Sequence, residues 1–157
     1  MAFPKTNLSK VIRLAFANSP YPIGDLIIQS NTDDPESTEM KEVFNNRLWY
    51  EITFNEVSFW CSNLPRFTDS AFKYFLPAFL LHSLDNRSGD MSSYIYFYLT
   101  PVPANYDTDF SFEKRMSLFN DIQKNAILRY VEYEFKQNNV SGTEYDKTVS
   151  YWRNITS

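Results

Sequence analysis

The side chains best suited to catalysis in this sequence are a single histidine and a single cysteine. His82 could act as the general base for a nucleophile, because an imidazole exchanges protons near neutral pH. It follows Leu80 and Leu81 in the most apolar segment, however, and no nucleophile motif accompanies it. Cys61 follows Trp60 and has no basic neighbour that would activate the thiol. We therefore interpret both side chains as parts of the core.

Carboxylates are the other abundant reactive groups, and 19 Asp and Glu residues leave room for a hydrolase that uses two of them. The sequence does not identify which two would converge. The visible cluster recurs every three or four residues: Asp33, Asp34, Glu36, Glu39 and Glu42. Such a run commonly only solvates the outer face of a helix. The functional alternative is an acidic patch that binds a basic partner, so these five are candidate partner-binding residues.

A second candidate is the alternating run Tyr94, Tyr96 and Tyr98. In a β-strand these three phenols would point to one side and form an adhesive surface like those at protein interfaces. In the core, their hydroxyls would bond to internal partners instead. Both interpretations stay open, and the three tyrosines join the candidate partner-binding residues.

Residue types exclude several other chemistries. Glycine occurs only at positions 24, 89 and 142, so neither of the usual glycine-rich phosphate-binding motifs can exist. Zinc sites draw three or four ligands mostly from Cys and His, and this chain has one of each. We therefore predict no cofactor, no metal site and no enzymatic activity.

Charge and hydropathy limit the kinds of partner that the protein could bind and the cellular compartment where it could be found. The 15 Lys and Arg against 19 Asp and Glu give a net charge of -4, unlike the basic surface of a nucleic-acid binder. The longest apolar run, 75–81, contains Pro77 and is too short to cross a bilayer. The N-terminus does not resemble a secretion leader, and one cysteine cannot form an internal disulfide. We therefore expect a soluble cytoplasmic protein that binds neither nucleic acid nor membranes.

The elements that would position these residues are predicted from apolar spacing, beginning at the N-terminus. Apolar residues three and four apart predict a helix over 8–16, with Asn7 as its N-cap. A second, short helix should start at Asp33, with Pro35 in its first turn and its acids near the positive end of the helix dipole.

The middle of the chain is harder to interpret. Residues 47–64 fit both a helix and a strand, and we favour a helix with Thr53 as a cap. A buried helix should follow Thr68, with a kink or a restart at Pro77, since proline lacks the amide proton and clashes with the preceding turn.

The C-terminal half contains the best strand candidate. Residues 94–99 are rich in aromatic and β-branched side chains, although so short a run cannot decide between strand and helix. The longest helix should begin near Phe112 and stop at Asn138, and a last short helix should span 143–152.

The expected fold is therefore mainly α, a single globular domain over residues 1–157 with five to seven helices. One or two short strands would be compatible with it, and an α+β fold is the alternative. The 14 Phe, 11 Tyr and 3 Trp imply that aromatic packing organises the core.

The sequence resembles a family of small, functionally uncharacterised bacterial proteins over most of residues 10–152. The most specific shared feature is the aromatic-rich Leu-Pro-Ala-aromatic-Leu element within 72–80. Other matching residues are Ala15-Phe16, Trp49, Ile52, Arg115, Phe119, Gln123 and Tyr151-Trp152. Because these are core residues in our interpretation, the resemblance implies a shared fold and no catalytic role.

Small acidic bacterial proteins of this style resemble the immunity halves of toxin systems. An immunity protein needs no catalysis, because it blocks its toxin through a complementary surface of roughly 800 Å² per partner. We therefore expect a non-catalytic protein-binding module whose partner is a basic toxin domain. The alternatives are a small carboxylate-based hydrolase and a structural homo-oligomeric adaptor.

Overall fold

The structure is a computed structural model that describes residues 4–22, 27–29, 34–85, 90–101, 111–138 and 142–157. This part of the chain folds into eight α-helices, joined in places by shorter 3₁₀ turns. The helices are α1 (Lys5–Phe16), α2 (Pro35–Phe44), α3 (Phe54–Trp60), α4 (Asp69–Asp85), α5 (Met91–Tyr98), α6 (Phe112–Ser117), α7 (Asp121–Asn138) and α8 (Thr143–Thr156). Two 3₁₀ helices flank α3, at Trp49–Glu51 and Cys61–Arg66. The prediction of a mainly α fold is confirmed, with slightly more helices than expected.

Side-chain caps fix where several helices begin. Pro35 occupies the first turn of α2, and Asp34 accepts a hydrogen bond from the Ser37 amide at 2.9 Å. In α3, Thr53 and Glu56 form the predicted cap as a reciprocal box. The prediction for Asn7 is wrong: α1 begins earlier, after Pro4, and uses no side-chain cap. Pro4 accepts the first backbone bond of the helix, from the Leu8 amide at 3.1 Å, and this needs no amide proton of its own.

A cluster of four phenylalanines lies at the centre of the core. Phe44 of α2 meets Phe67 at 4.9 Å, Phe75 at 5.0 Å and Phe79 at 6.2 Å between ring centroids. All four side chains are fully buried. Mixed edge and stacked contacts of this kind add to the hydrophobic gain of burial. The prediction of an aromatic core is confirmed.

Helix α4 is the central element, and it is buried on nearly every side. It packs against α1, α3, α5 and α6. The expected restart at Pro77 does not occur, since α4 continues through this residue to Asp85. Pro77 removes one backbone donor, but the surrounding apolar contacts on all sides outweigh that local cost.

The strand interpretation of residues 94–99 is wrong, because this segment forms most of α5. Ile95, Tyr96 and Leu99 are buried, at a spacing that only a helix brings to one side. In the described ranges no strand is present, and β-structure is limited to one antiparallel bridge between Ile28 and Phe67.

The predicted longest helix is divided in two. Helix α6 ends at Ser117, and α7 starts after Asn120. The division arises because the Asn120 side chain accepts from the Gln123 amide at 2.9 Å, while the Gln123 side chain accepts from the Asn120 amide at 3.1 Å. This reciprocal cap starts a new helix at a point where the spacing of apolar residues alone predicts one continuous helix.

Helix α8 completes the C-terminal half and is longer than predicted. It packs on α7, and the buried Trp152 indole donates to the Leu99 carbonyl at 2.8 Å. Thr148 of α8 shares a hydrogen bond of 2.6 Å with Thr100. These polar contacts fix α8 against the end of α5.

Replacing Glu56 with glutamine should make the free energy of unfolding depend less on pH in the acid range. Partial burial alone would raise the pKa of Glu56, but hydrogen bonds from Arg47 and Thr53 lower it overall from 4.5. A carboxylate with a lowered pKa stabilises the fold above its unfolded pKa, and the contribution is lost as pH falls below that value. We expect Glu56→Gln to cost about 1 kcal/mol at pH 7 and less near pH 3.

Urea unfolding at the two pH values measures this difference, and Glu42→Gln on the exposed side of α2 is the control. An equal loss at both pH values would show that the Glu56 charge does not stabilise the fold.

Candidate functional site

The acidic run on α2 is partly neutralised from within the chain. Arg66 donates to Asp34 at 2.9 Å and to Glu36 at 2.8 Å, and it also donates to the Ser37 hydroxyl at 2.6 Å. The Ser37 amide and Arg66 together hold the pKa of Asp34 below its ordinary value. These two carboxylates therefore anchor the start of α2 to the 3₁₀ helix Cys61–Arg66.

The other members of the predicted acidic patch differ in availability. Glu39 and Glu42 are exposed, and within the described ranges neither makes an ion pair. Asp33 lies outside the described residues. On α2, the carboxylates that remain available to a partner protein are thus Glu39 and Glu42.

The three candidate tyrosines do not share one side, because α5 is a helix. Tyr96 is buried and donates to the Tyr145 carbonyl at 3.1 Å, and its burial raises the pKa of the phenol. Tyr98 is half-buried and donates to the Ser62 carbonyl at 2.7 Å. Tyr94 is 41% exposed. Of the two interpretations left open, a row of three phenols on a strand is therefore wrong, and Tyr96 belongs to the core as the alternative had it.

A different set of aromatic side chains is exposed on α5 and at the end of α3. Tyr94, Phe97 and Tyr98 are three and four residues apart, which puts them on one face of α5. Phe97 is 63% exposed, and Phe59 at the end of α3 is 64% exposed. We call Phe59, Tyr94, Phe97 and Tyr98 the aromatic surface. On α5 the solvent face is thus as aromatic as the buried one, which is unusual for a surface helix.

The hydrogen bond between Tyr98 and Ser62 joins the two halves of this surface. Phe59 lies three residues before Ser62, and Phe97 directly precedes Tyr98. Chain geometry therefore keeps the Phe59 and Phe97 backbones within about 20 Å of each other. An ordinary interface of about 800 Å² per partner is wide enough to cover both.

Sequence reasoning missed Phe59 and Phe97. Helical spacing could have identified them, because in a helix each of the two rings falls on the side away from the buried residues. Val57 and Trp60 form the buried stripe of α3, and Phe59 falls outside it. Phe97 lies opposite the buried Ile95 and Leu99.

The histidine and the cysteine take the places expected of them. His82 is half-buried, its Nε2 lies 2.8 Å from the Ile52 carbonyl, and its ring packs near Phe54. Cys61 is buried, and desolvation raises the pKa of its thiol. A raised pKa keeps the sulfur in its unreactive protonated form at neutral pH.

Metal-ligand clusters and membrane-crossing helices are two further features that could define a functional site. In the stretches that the structure describes, no group of three or more His, Cys, Asp or Glu side chains could hold a metal ion. None of the helices in those stretches combines the length and the hydropathy that crossing a bilayer requires.

Comparison with known proteins places the chain in a family. A family of unknown function, DUF6714, matches residues 4–156. No curated protein and no solved structure matches the chain. The family match spans every helix described above, from α1 to α8. The chain therefore belongs to the family of unknown function DUF6714.

Proposed function

We propose that this protein acts by binding another protein through the aromatic surface. The observation that carries the proposal is the solvent face of α5, where Tyr94 and Phe97 are exposed. Phe59 is also exposed at the end of α3, and the 3₁₀ helix Cys61–Arg66 packs against both α3 and α5. Single exposed apolar residues are common, but several large rings on adjoining elements are typical of interaction sites.

The physical reason is the gain from covering these rings. Aromatic side chains dominate the energetic centres of interfaces, since each buries a large area and loses few rotamers. Tyr98 is already fixed by its bond to Ser62, so part of the surface is ordered before a partner arrives. Less conformational entropy is then lost on binding.

The partner we propose is a basic protein, and in the finer form of the proposal it is a toxin that this chain neutralises. The net charge of -4 favours a partner of opposite sign. Glu39 and Glu42 are exposed on α2, and Arg66 joins the start of α2 to the 3₁₀ helix that touches α5. Acids at the rim of an interface speed the encounter with a basic partner.

Removing the two exposed phenylalanine rings should strongly weaken partner binding without unfolding the chain. Toxins and their immunity proteins are typically encoded together, so the test uses the product of the adjacent gene. We expect each of Phe59→Ala and Phe97→Ala to weaken binding about tenfold in calorimetric titration, and the double variant about a hundredfold. Cells that carry the double variant should lose protection from the adjacent gene product.

Leu14→Ala with Ile122→Ala is the matched control, because these side chains are 67% and 70% exposed on α1 and α7. The control pair should leave binding and protection unchanged. Equal loss in both pairs would contradict the proposed surface. An adjacent gene product that neither binds nor harms cells would contradict the toxin form. Concentration-dependent self-association that the Phe pair abolishes would replace the foreign partner with a second copy of the chain.

A further inference from the structure

A small cleft lies between three segments of the chain, and it contains none of the residues of the aromatic surface. It has a volume of about 240 Å³. Its walls come from the segment after α1, the first turns of α4 and the turn between α6 and α7. The lining includes Ser19, Pro20, Tyr21, Lys73, Tyr74 and Leu118.

The cleft carries one positive charge that none of the described residues neutralises. Lys73 lines it, and no carboxylate does so among the described residues. Asp69, one turn earlier on α4, is the natural ion-pair partner for Lys73. Its Oδ1 accepts from the buried Arg115 at 2.9 Å instead, and Lys73 makes no ion pair within the described ranges.

A hydroxyl donor accompanies this charge. The Ser19 oxygen accepts from the Gln123 side-chain amide at 2.9 Å, which orients it and leaves its own proton to be donated. No described residue accepts that proton. Ser70, also in the lining, is exposed on the first turn of α4 and contributes a second hydroxyl. The polar groups of the cleft are thus suited to an anion.

The remaining walls are apolar and held in place. The rings of Tyr21 and Tyr74 meet edge to face, with centroids 5.1 Å apart. The Tyr21 hydroxyl accepts from the Asn46 amide at 2.8 Å, which fixes its ring. Pro20 and Leu118 complete a wall against which a flat apolar group can pack.

From the cleft we infer a second binding site, which takes a small carboxylate that carries one aromatic ring. Lys73 and the Ser19 hydroxyl bind the carboxylate, and the tyrosine walls pack on the ring. The size agrees, since an engineered cavity of about 150 Å³ accommodates benzene and a carboxymethyl group needs only modest further space. This site is independent of the proposed protein-binding function.

Titration of the full chain with phenylacetate tests this inference, followed by NMR of the backbone amides near Ser19 and Lys73. We expect saturable shifts with a dissociation constant of about 1 mM or lower. Phenylacetamide, which lacks the charge, and acetate, which lacks the ring, should each bind at least about tenfold more weakly.

Lys73→Met should weaken phenylacetate binding about tenfold, whereas Lys114→Met on α6 should not change it. Lys73→Gln replaces the first variant if that one does not fold. The inference is overturned by the absence of shifts at about 10 mM phenylacetate, or by equal binding of phenylacetamide. Unchanged affinity in the Lys73 variant also overturns it. None of these results bears on Phe59 or Phe97.

Discussion

Arg115→Ala should lower the free energy of unfolding by about 3–5 kcal/mol, among the largest effects of any single substitution in this chain. The reason is that the guanidinium is completely buried and bound to several elements at once. Its Nε donates to Asp69 of α4 at 2.9 Å, and its Nη2 donates to the Phe67 carbonyl at 2.6 Å. The charge also lies 4.7 Å from the centre of the Phe72 ring.

Truncation would leave the Asp69 carboxylate and the Phe67 carbonyl without this donor and open a cavity beneath α6. Burial lowers the pKa of Arg115, while Asp69 raises it, and an arginine remains charged throughout the accessible range. Arg115→Lys should recover only part of the loss, since a single ammonium cannot reproduce two separate guanidinium donors.

Urea unfolding at pH 7 measures the effect. Arg153→Ala is the control, because the exposed Arg153 pairs with Glu132 at the surface and should contribute at most about 1 kcal/mol. If the Arg115 and Arg153 variants were equally stable, the buried arginine would not be the link between α4 and α6 that its contacts indicate.

Phe44→Ala is expected to cost about 3–5 kcal/mol, comparable to the Arg115 effect. Phe44 is the only contribution of α2 to the phenylalanine cluster described above, and it contacts three other rings there. Because domains of this kind are stable by only about 5–15 kcal/mol, such a loss brings the variant close to unfolding at room temperature.

Thermal and urea unfolding both report this loss. Phe59→Ala makes the same chemical change on an exposed ring, and we expect it to alter stability by no more than about 0.5 kcal/mol. Comparable losses in the two variants would mean that the Phe44 cluster does not organise the core.

The spacing of apolar residues, together with the residues that start helices, was enough to predict α1, α2 and α3, but it did not decide between helix and strand for α5. Leu8, Ile12 and Phe16 mark α1 without ambiguity, and Pro35 marks the start of α2. Residues 94–99 have β-branched and aromatic side chains that suit a strand. In the fold, Ile95, Tyr96 and Leu99 are buried together, as a helix allows, and hydrogen bonds tie Leu99 and Thr100 to α8.

The candidate site was predictable only in its location. Glu36, Glu39 and Glu42 do lie on an exposed face of α2. Arg66 comes from a segment about thirty residues later, and no local pattern predicts that it pairs with Asp34 and Glu36. For α5, the candidate residues predicted from sequence included Tyr94 and Tyr98 but not Phe97. In a strand, the Phe97 ring would point to the side opposite the tyrosines.

The proposed function requires contact of the aromatic surface with a partner protein. Its most direct test is a photo-crosslinking amino acid placed at Phe97 in the native host, with the same substitution at Ile122 as the control. We expect one discrete adduct at position 97 and none at position 122. Once purified, the crosslinked protein should bind Phe97→Ala about tenfold more weakly than the intact chain. No adduct at position 97, or the same adducts at both positions, would contradict it.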